Sequence, residues 1–285
     1  MKTKNLFFIA LIAVATTSCM STISYYQVYK TTPVSNVTIK DNLMQFEDAN
    51  CKILYDLWDD GGNVGFSFFN KTNTNIYLNM EECFFISNGV ANNYYKSRVY
   101  TSSSSNGSSN SFGATTSKSM SGINFLNLLQ TNYGALSKSV SSISTSGVSL
   151  SYNEDKIICI PALTSKIIKE YSINQTPFRD CDLLRYPNKK EIKPVIFTKS
   201  NSPIVFSNRI EYKVGYSIPP IKIENDFFVS EITNYPEAEI IESKVDSYCG
   251  QKRVKNNYTP MTRYFKNVSP DKFYIKYIKE EGWKH

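Results

Sequence analysis

The side chains that could do acid–base or covalent chemistry in this chain are few. The only histidine is His285. Serine and cysteine nucleophiles need a placed base, most often an imidazole, so Ser-His-Asp and Cys-His catalysis lack a partner in the body of the chain. Ser269-Pro270-Asp271-Lys272 has the SxxK spacing of Ser-Lys enzymes, but the intervening Pro-Asp reads as a turn. Carboxylates are the remaining acids and bases. Asp56, Asp59 and Asp60 cluster beside Gly61-Gly62-Asn63, Glu81 adjoins Glu82, and Asp180 stands near Asp182. An acid-rich turn offers the oxygen ligands that calcium prefers. The spacing is not that of an EF-hand, and an Asp-Gly turn explains the same residues without a metal. Glycosidase chemistry would need two carboxyl groups facing each other across a cleft, and nothing in the sequence places two of them so. No GxSxG, HExxH or glycine-rich phosphate loop is present, so the reading includes no catalytic residue, metal or cofactor.

Cysteine offers a different chemistry. Lys2 and Lys4 precede an unbroken apolar run, LFFIALIAVA, from position 6 to 15. A spanning helix takes about 20 apolar residues, so this run fits the core of an export signal instead. It ends in Ala15, Thr16, Thr17, Ser18 and Cys19, which resembles a bacterial lipobox: a small residue before an obligatory cysteine. The resemblance implies cleavage before Cys19, with a diacylglycerol on its thiol and an acyl chain on its amine. Thr16 departs from the leucine that the lipobox favours. The competing reading is an ordinary secretory signal cleaved near Ser18. One acyl chain holds a protein only marginally, whereas three would hold it firmly to the membrane. Cys51, Cys83, Cys159, Cys181 and Cys249 remain, an odd number that leaves at least one thiol unpaired within the chain. Their long, irregular spacings do not suit zinc. Cys83 and Cys159 lie in the apolar runs CFFI and IICI, where buried, inert thiols are expected.

The elements that must position these residues read as strands. Hydrophobic residues make up 41% of the 285 and aromatics 14%, enough for a large core. Residues 1–18 form the signal and 19–44 a polar, lipidated tether with a short strand near 24–29. Residues 45–285 form one mainly β domain. Strands are expected at 52–58, 64–70 and 75–80, joined as a meander by the Asp-Asp-Gly-Gly-Asn and Asn-Lys-Thr-Asn-Thr turns. Others are expected at 83–87, 94–100, 156–160, 164–173, 204–217, 221–235, 240–248, 263–267 and 272–279, with a charged loop at 180–193. Short strands punctuated by Gly, Pro and Asn argue for a single antiparallel β-sandwich of immunoglobulin-like type. A Ser-rich insertion at 101–151 interrupts it. Within the insertion, Phe125, Leu126, Leu129 and Tyr133 recur at helical spacing. They suggest either a short helix packing back on the domain or an apolar finger that meets a membrane or partner.

The formal charge of +7 is mild. The segment 251–255 (QKRVK), with Tyr258, Arg263, Tyr264 and Lys266, would suggest nucleic acid in a cytosolic protein. In an exported one it reads as a solvated hairpin, and no nucleic-acid partner is expected.

Several short runs carry a family resemblance. They are Asn50-Cys51-Lys52-Ile53, Leu57-Trp58-Asp59, Gly65-Phe66, Asn70-Lys71-Thr72, Asn75-Ile76-Tyr77-Leu78-Asn79 and Glu82-Cys83-Phe84-Phe85. Later runs are Phe206 to Tyr212, Ile232-Thr233-Asn234-Tyr235-Pro236, Tyr264 to Asn267, and Phe273-Tyr274. Together they resemble a group of envelope lipoproteins of Bacteroides-type bacteria that carries no assigned activity. The resemblance implies a diderm envelope and a lipid-anchored domain. Surface lipoproteins of such bacteria often carry acidic residues soon after the lipid cysteine, and residues 20–30 here have none. That absence points to the periplasmic face of the outer membrane. The function expected is a non-enzymatic binding or scaffolding module with an envelope protein or glycan partner. The alternatives are a surface adhesin for glycan or host, a carboxylate-based glycan hydrolase, and a subunit that polymerises by strand addition.

Overall fold

The computed structural model describes residues 23–34, 36–40, 42–104, 148–215, 219–245, 247–248, 251–252 and 261–282. The signal segment, Cys19, the proposed helix at 123–133 and Cys249 lie outside them.

Along the chain the strands are β1 (Ser24–Pro33), β2 (Val37–Lys40), β3 (Leu43–Glu47), β4 (Cys51–Tyr55), β5 (Phe66–Asn70) and β6 (Ile76–Asn79). A 3-10 turn, Met80–Glu82, leads to β7 (Phe84–Ser87), β8 (Val90–Asn93) and β9 (Val99–Ser104). After the insertion come β10 (Val148–Asn153), β11 (Ile157–Ile160), β12 (Ser165–Ile168), β13 (Val195–Ile196), β14 (Val205–Val214) and β15 (Ile221–Pro236). A single helical turn, α1 (Glu237–Ile240), precedes β16 (Ile241–Val245), β17 (Ser247–Tyr248), β18 (Gln251–Lys252), β19 (Met261–Phe265) and β20 (Lys272–Ile278).

The protein is mainly β, with two antiparallel sheets forming a sandwich. The larger sheet runs β11-β6-β14-β15-β1-β20, with β7 following β6 along β14, β8 beside β7, and β13 following β14 along β15. The smaller runs β12-β5-β4-β3-β2. Alternation along the strands decides what is buried between them. In β4 and β5, Ile53, Tyr55, Phe66 and Phe68 are almost fully buried, and they face Tyr212, Ile223, Phe227 and Ile210 of the larger sheet in one core cluster. Tyr55 meets Phe227 edge-on at 5.3 Å, and Phe68 meets Tyr212 at 5.5 Å. Rings in this offset geometry add to the area they bury.

Three expectations are corrected. First, most of the stretch read as a tether is core. β1 lies between β15 and β20, and Tyr26 and Tyr29 are buried. The segment looks polar because Gln27 and Thr31 are buried too, with their polar atoms satisfied: Thr31 Oγ1 donates to the Asp271 carbonyl at 2.8 Å. A buried polar group costs little once it is bonded. β2 and β3 also belong to the smaller sheet, so the described residues of this stretch are mostly sheet.

Second, the expected meander stops at two strands. β4 and β5 pair, Cys51 opposite Asn70, but β6 crosses to the other sheet. The chain crosses back between β11 and β12 at Pro161. Asn70, fully buried, binds both corners: its Nδ2 donates to the Thr74, Ile160 and Pro161 carbonyls at 2.8, 3.0 and 3.1 Å.

Third, Cys159 is exposed on β11, an edge strand, although Cys83 is buried as expected. Cys51, Cys83, Cys159 and Cys181 are all free thiols. Residues 180–193 are irregular, and the segment from 174 to 194 is bonded to β1 and β15 of the larger sheet through Gln27 and Asn234. There Tyr25, Tyr186 and Tyr277 pack together, and Tyr277 donates to the Arg185 carbonyl at 2.5 Å.

Candidate functional site

The Asp-Asp-Gly-Gly-Asn turn leaves β4 and crosses to the exposed edge of β20. Gly61 N–H donates to the Tyr274 carbonyl at 2.7 Å, and Tyr274 N–H to the Asp59 carbonyl at 3.2 Å. The crossing covers a strand edge that would otherwise pair with another chain. On its other side, Ile173 and Asn174 donate to the Gly61 carbonyl, both at 2.9 Å. Gly61 and Gly62 both have positive φ, 78° and 77°. Glycine is also required sterically: a Cβ on Gly62 would lie 2.8 Å from Ile173 Cδ1 and Phe273 Cγ.

Between this turn and residues 169–172 lies an open cleft of about 310 Å³, lined by Asp59, Asp60, Asn63, Lys169, Glu170 and Tyr171, with Gly62 and Ser172. Its charges are mostly committed. Lys169 Nζ bonds Asp59 Oδ2 at 3.1 Å. Glu170 receives Arg98 Nη1 at 2.8 and 2.9 Å and Lys96 Nζ at 2.8 Å. Arg98 also binds Glu154, so the base of the β9–β10 hairpin is tied to one wall of the cleft. Partial burial tends to raise the Glu154 carboxyl, but the Arg98 guanidinium and the N–H groups of Arg98 and Lys96 outweigh it and hold the carboxyl down to about 2. Tyr171 donates to the Asn93 carbonyl, and its ring stacks on Phe85 at 5.4 Å and carries Lys96 Nζ at 4.5 Å.

The candidate carboxylates do not share a role. Burial raises the carboxyls of Asp56 and Asp60 above the usual aspartate range. Asp56 accepts the Trp58 N–H at 3.2 Å and Asp60 the Lys276 N–H at 3.4 Å. Glu81 pairs with Lys156 at 2.8 Å, and Glu82 with Lys222 at 3.5 Å. Asp180 caps a turn by accepting the Asp182 N–H at 2.8 Å. The Ser269 hydroxyl donates to Asp271, and Lys272 N–H to the Ser269 carbonyl at 3.1 Å, so this run is a hydrogen-bonded turn. Among the described residues no group of three or more His, Cys, Asp or Glu side chains is arranged to hold a metal ion. The cleft offers hydrogen-bond donors and acceptors of both signs in a volume at the lower end for small-ligand sites. The sequence flagged its Asp59–Asn63 wall. The Lys169–Ser172 wall was read only as part of a strand, because nothing local tells that it faces the turn.

No protein-family model matches the chain, and neither a curated protein nor a solved structure shows significant similarity to it.

Proposed function

We propose that this protein is exported, acylated on Cys19 and held in the outer membrane of a diderm envelope, on its periplasmic face. There it acts as a non-enzymatic module that binds or scaffolds another envelope component. The observation that carries the reading is Cys19 itself, placed directly after a lysine-flanked apolar run and three small residues. Three acyl chains hold such a protein without a spanning helix. Labelled palmitate fed to cells expressing the full chain should enter the wild type. Equal labelling of Cys19→Ser would overturn the anchor.

The mixed-charge cleft favours a second reading, in which the module is displayed on the surface and holds a glycan through hydrogen bonds. Protease added to intact cells separates the two, because only a displayed domain is cut.

A further inference from the structure

The structure shortens the expected tether from about 25 residues to four, Met20 to Ile23, because β1 begins at Ser24. A flexible tether of about 25 residues would average ~28 Å end to end and could extend much farther. The five steps from Cys19 to Ser24 span at most about 18 Å when fully extended. The headgroup layer itself takes up roughly 5–8 Å of that. Ser24 therefore cannot stand far from the lipid surface if Cys19 carries the anchor.

The fold then determines which surface lies there. Ser24 pairs with Ile278, Tyr25 pairs with Pro236, and Lys279 N–H donates to the Ile23 carbonyl at 2.9 Å. β15 ends there at Pro236, and its 16 residues reach back from that end for about 50 Å at ~3.3 Å per residue. Its far end, Ile221, pairs with Tyr212, which pairs with Leu78 of β6. The β5–β6 corner around Asn73 is thus at the opposite end of the sandwich.

We propose that the end bearing Ile23, Ser24, Ile278 and Lys279 rests on the headgroup layer of the membrane that holds the anchor, with the Ile221 end of β15 farthest from it. This rests on the acylation of Cys19. Ile23 and Ile278 are about half exposed, at 52% and 53%, and present apolar side chains at this end. Of the neighbouring charges, Arg185 binds Glu280 at 2.8 Å and Lys189 binds Glu239 at 3.2 Å, while Lys279 lies over the Tyr186 ring at 5.9 Å. The length of the tether by itself holds the contact, so no attraction to anionic lipid is needed and added salt leaves it unchanged.

The test uses the full chain, expressed with its leader, with Cys159, Cys181 and Cys249 replaced by serine. Ile278→Cys or Asn73→Cys then carries one environment-sensitive fluorophore. The acylated protein is reconstituted in phosphatidylcholine–phosphatidylglycerol vesicles containing a headgroup spin-label quencher. Position 278 should be quenched several-fold more than position 73, equally at low and high salt. Inserting about 20 Gly/Ser residues between Thr22 and Ile23, ~25 Å on average, should bring position 278 down to the level of 73. Lys279→Cys serves if Ile278→Cys folds poorly. Equal quenching at both ends of a protein that carries palmitate would overturn the orientation. Absence of palmitate would overturn the anchor reading instead.

Discussion

Gln27 and Phe178 exchange two hydrogen bonds. Gln27 Nε2 donates to the Phe178 carbonyl at 3.0 Å, and Phe178 N–H donates back to Gln27 Oε1 at 2.6 Å. A side-chain amide in β1 thus does for one residue of an irregular segment what a neighbouring strand would do. Gln27 Nε2 also donates to Asn234 Oδ1 at 2.9 Å, and Asn234 Nδ2 to the Leu184 carbonyl at 3.0 Å. These bonds attach residues 174–194 to the sheet and satisfy the polar atoms buried beneath them.

Replacing Gln27 by leucine removes the acceptor of the buried Tyr29 hydroxyl and the donor to Asn234 Oδ1 and the Phe178 carbonyl, while the Phe178 N–H keeps the Tyr29 hydroxyl oxygen at 3.0 Å. Each buried unpaired group costs about 1–3 kcal/mol, so Gln27→Leu should lower stability by roughly 3 kcal/mol in urea unfolding. Limited proteolysis should open the 174–194 segment first. An unchanged midpoint and cleavage pattern would show that the bonds contribute nothing.

Two glycines with positive φ provide a controlled comparison. Gly62 is hemmed in by Ile173 and Phe273, whereas a Cβ on Gly89, at φ 82°, meets nothing within 4 Å. The left-handed conformation alone costs an alanine about 1–2 kcal/mol, and overpacking adds about 1–3. Gly62→Ala should therefore lose about twice as much stability as Gly89→Ala in the same denaturant titration. Equal losses would mean that Ile173 and Phe273 yield freely.

The Glu154–Arg98 pair gives acid sensitivity a definite sign. The carboxyl pKa is depressed in the folded protein to about 2. Its contribution is complete above the unfolded value of about 4.3 and is lost as pH falls through the folded value. Arg98 is partly exposed, so screening limits the contribution to about 1 kcal/mol. Thermal melts of wild type and Glu154→Gln should differ at pH 6 and converge near pH 2. A gap that stays constant across that range would exclude the linkage.

Thiol reactivity should divide by burial. Cys51 and Cys83 are fully buried, and burial pushes the Cys83 thiol up to about 11, whereas Cys159 and Cys181 are exposed. With Cys19 and Cys249 replaced by serine, a soluble disulfide reagent should titrate the two exposed thiols in the folded state and Cys51 and Cys83 only after denaturation. Rapid reaction of Cys83 under native conditions would contradict the packing.

The sequence by itself determined the strand content, because alternating Ile, Phe and Tyr in runs such as 64–70 and 221–235 mark half-buried β surface whatever their partners. It also marked the turn at Asp59–Asn63. Tertiary structure alone decided partnership. A strand's period says which side chains share a face, but not which sheet it joins, and so β6 was read next to β5 rather than opposite it. The same limit hid the place of β1 in the core: Gln27 and Thr31 look solvent-bound until Phe178 and Asp271, each more than 150 residues away, are brought up to bond them. It hid the cleft as well, since Lys169 and Glu170 acquire a role only where the fold sets them against Asp59 and Asp60.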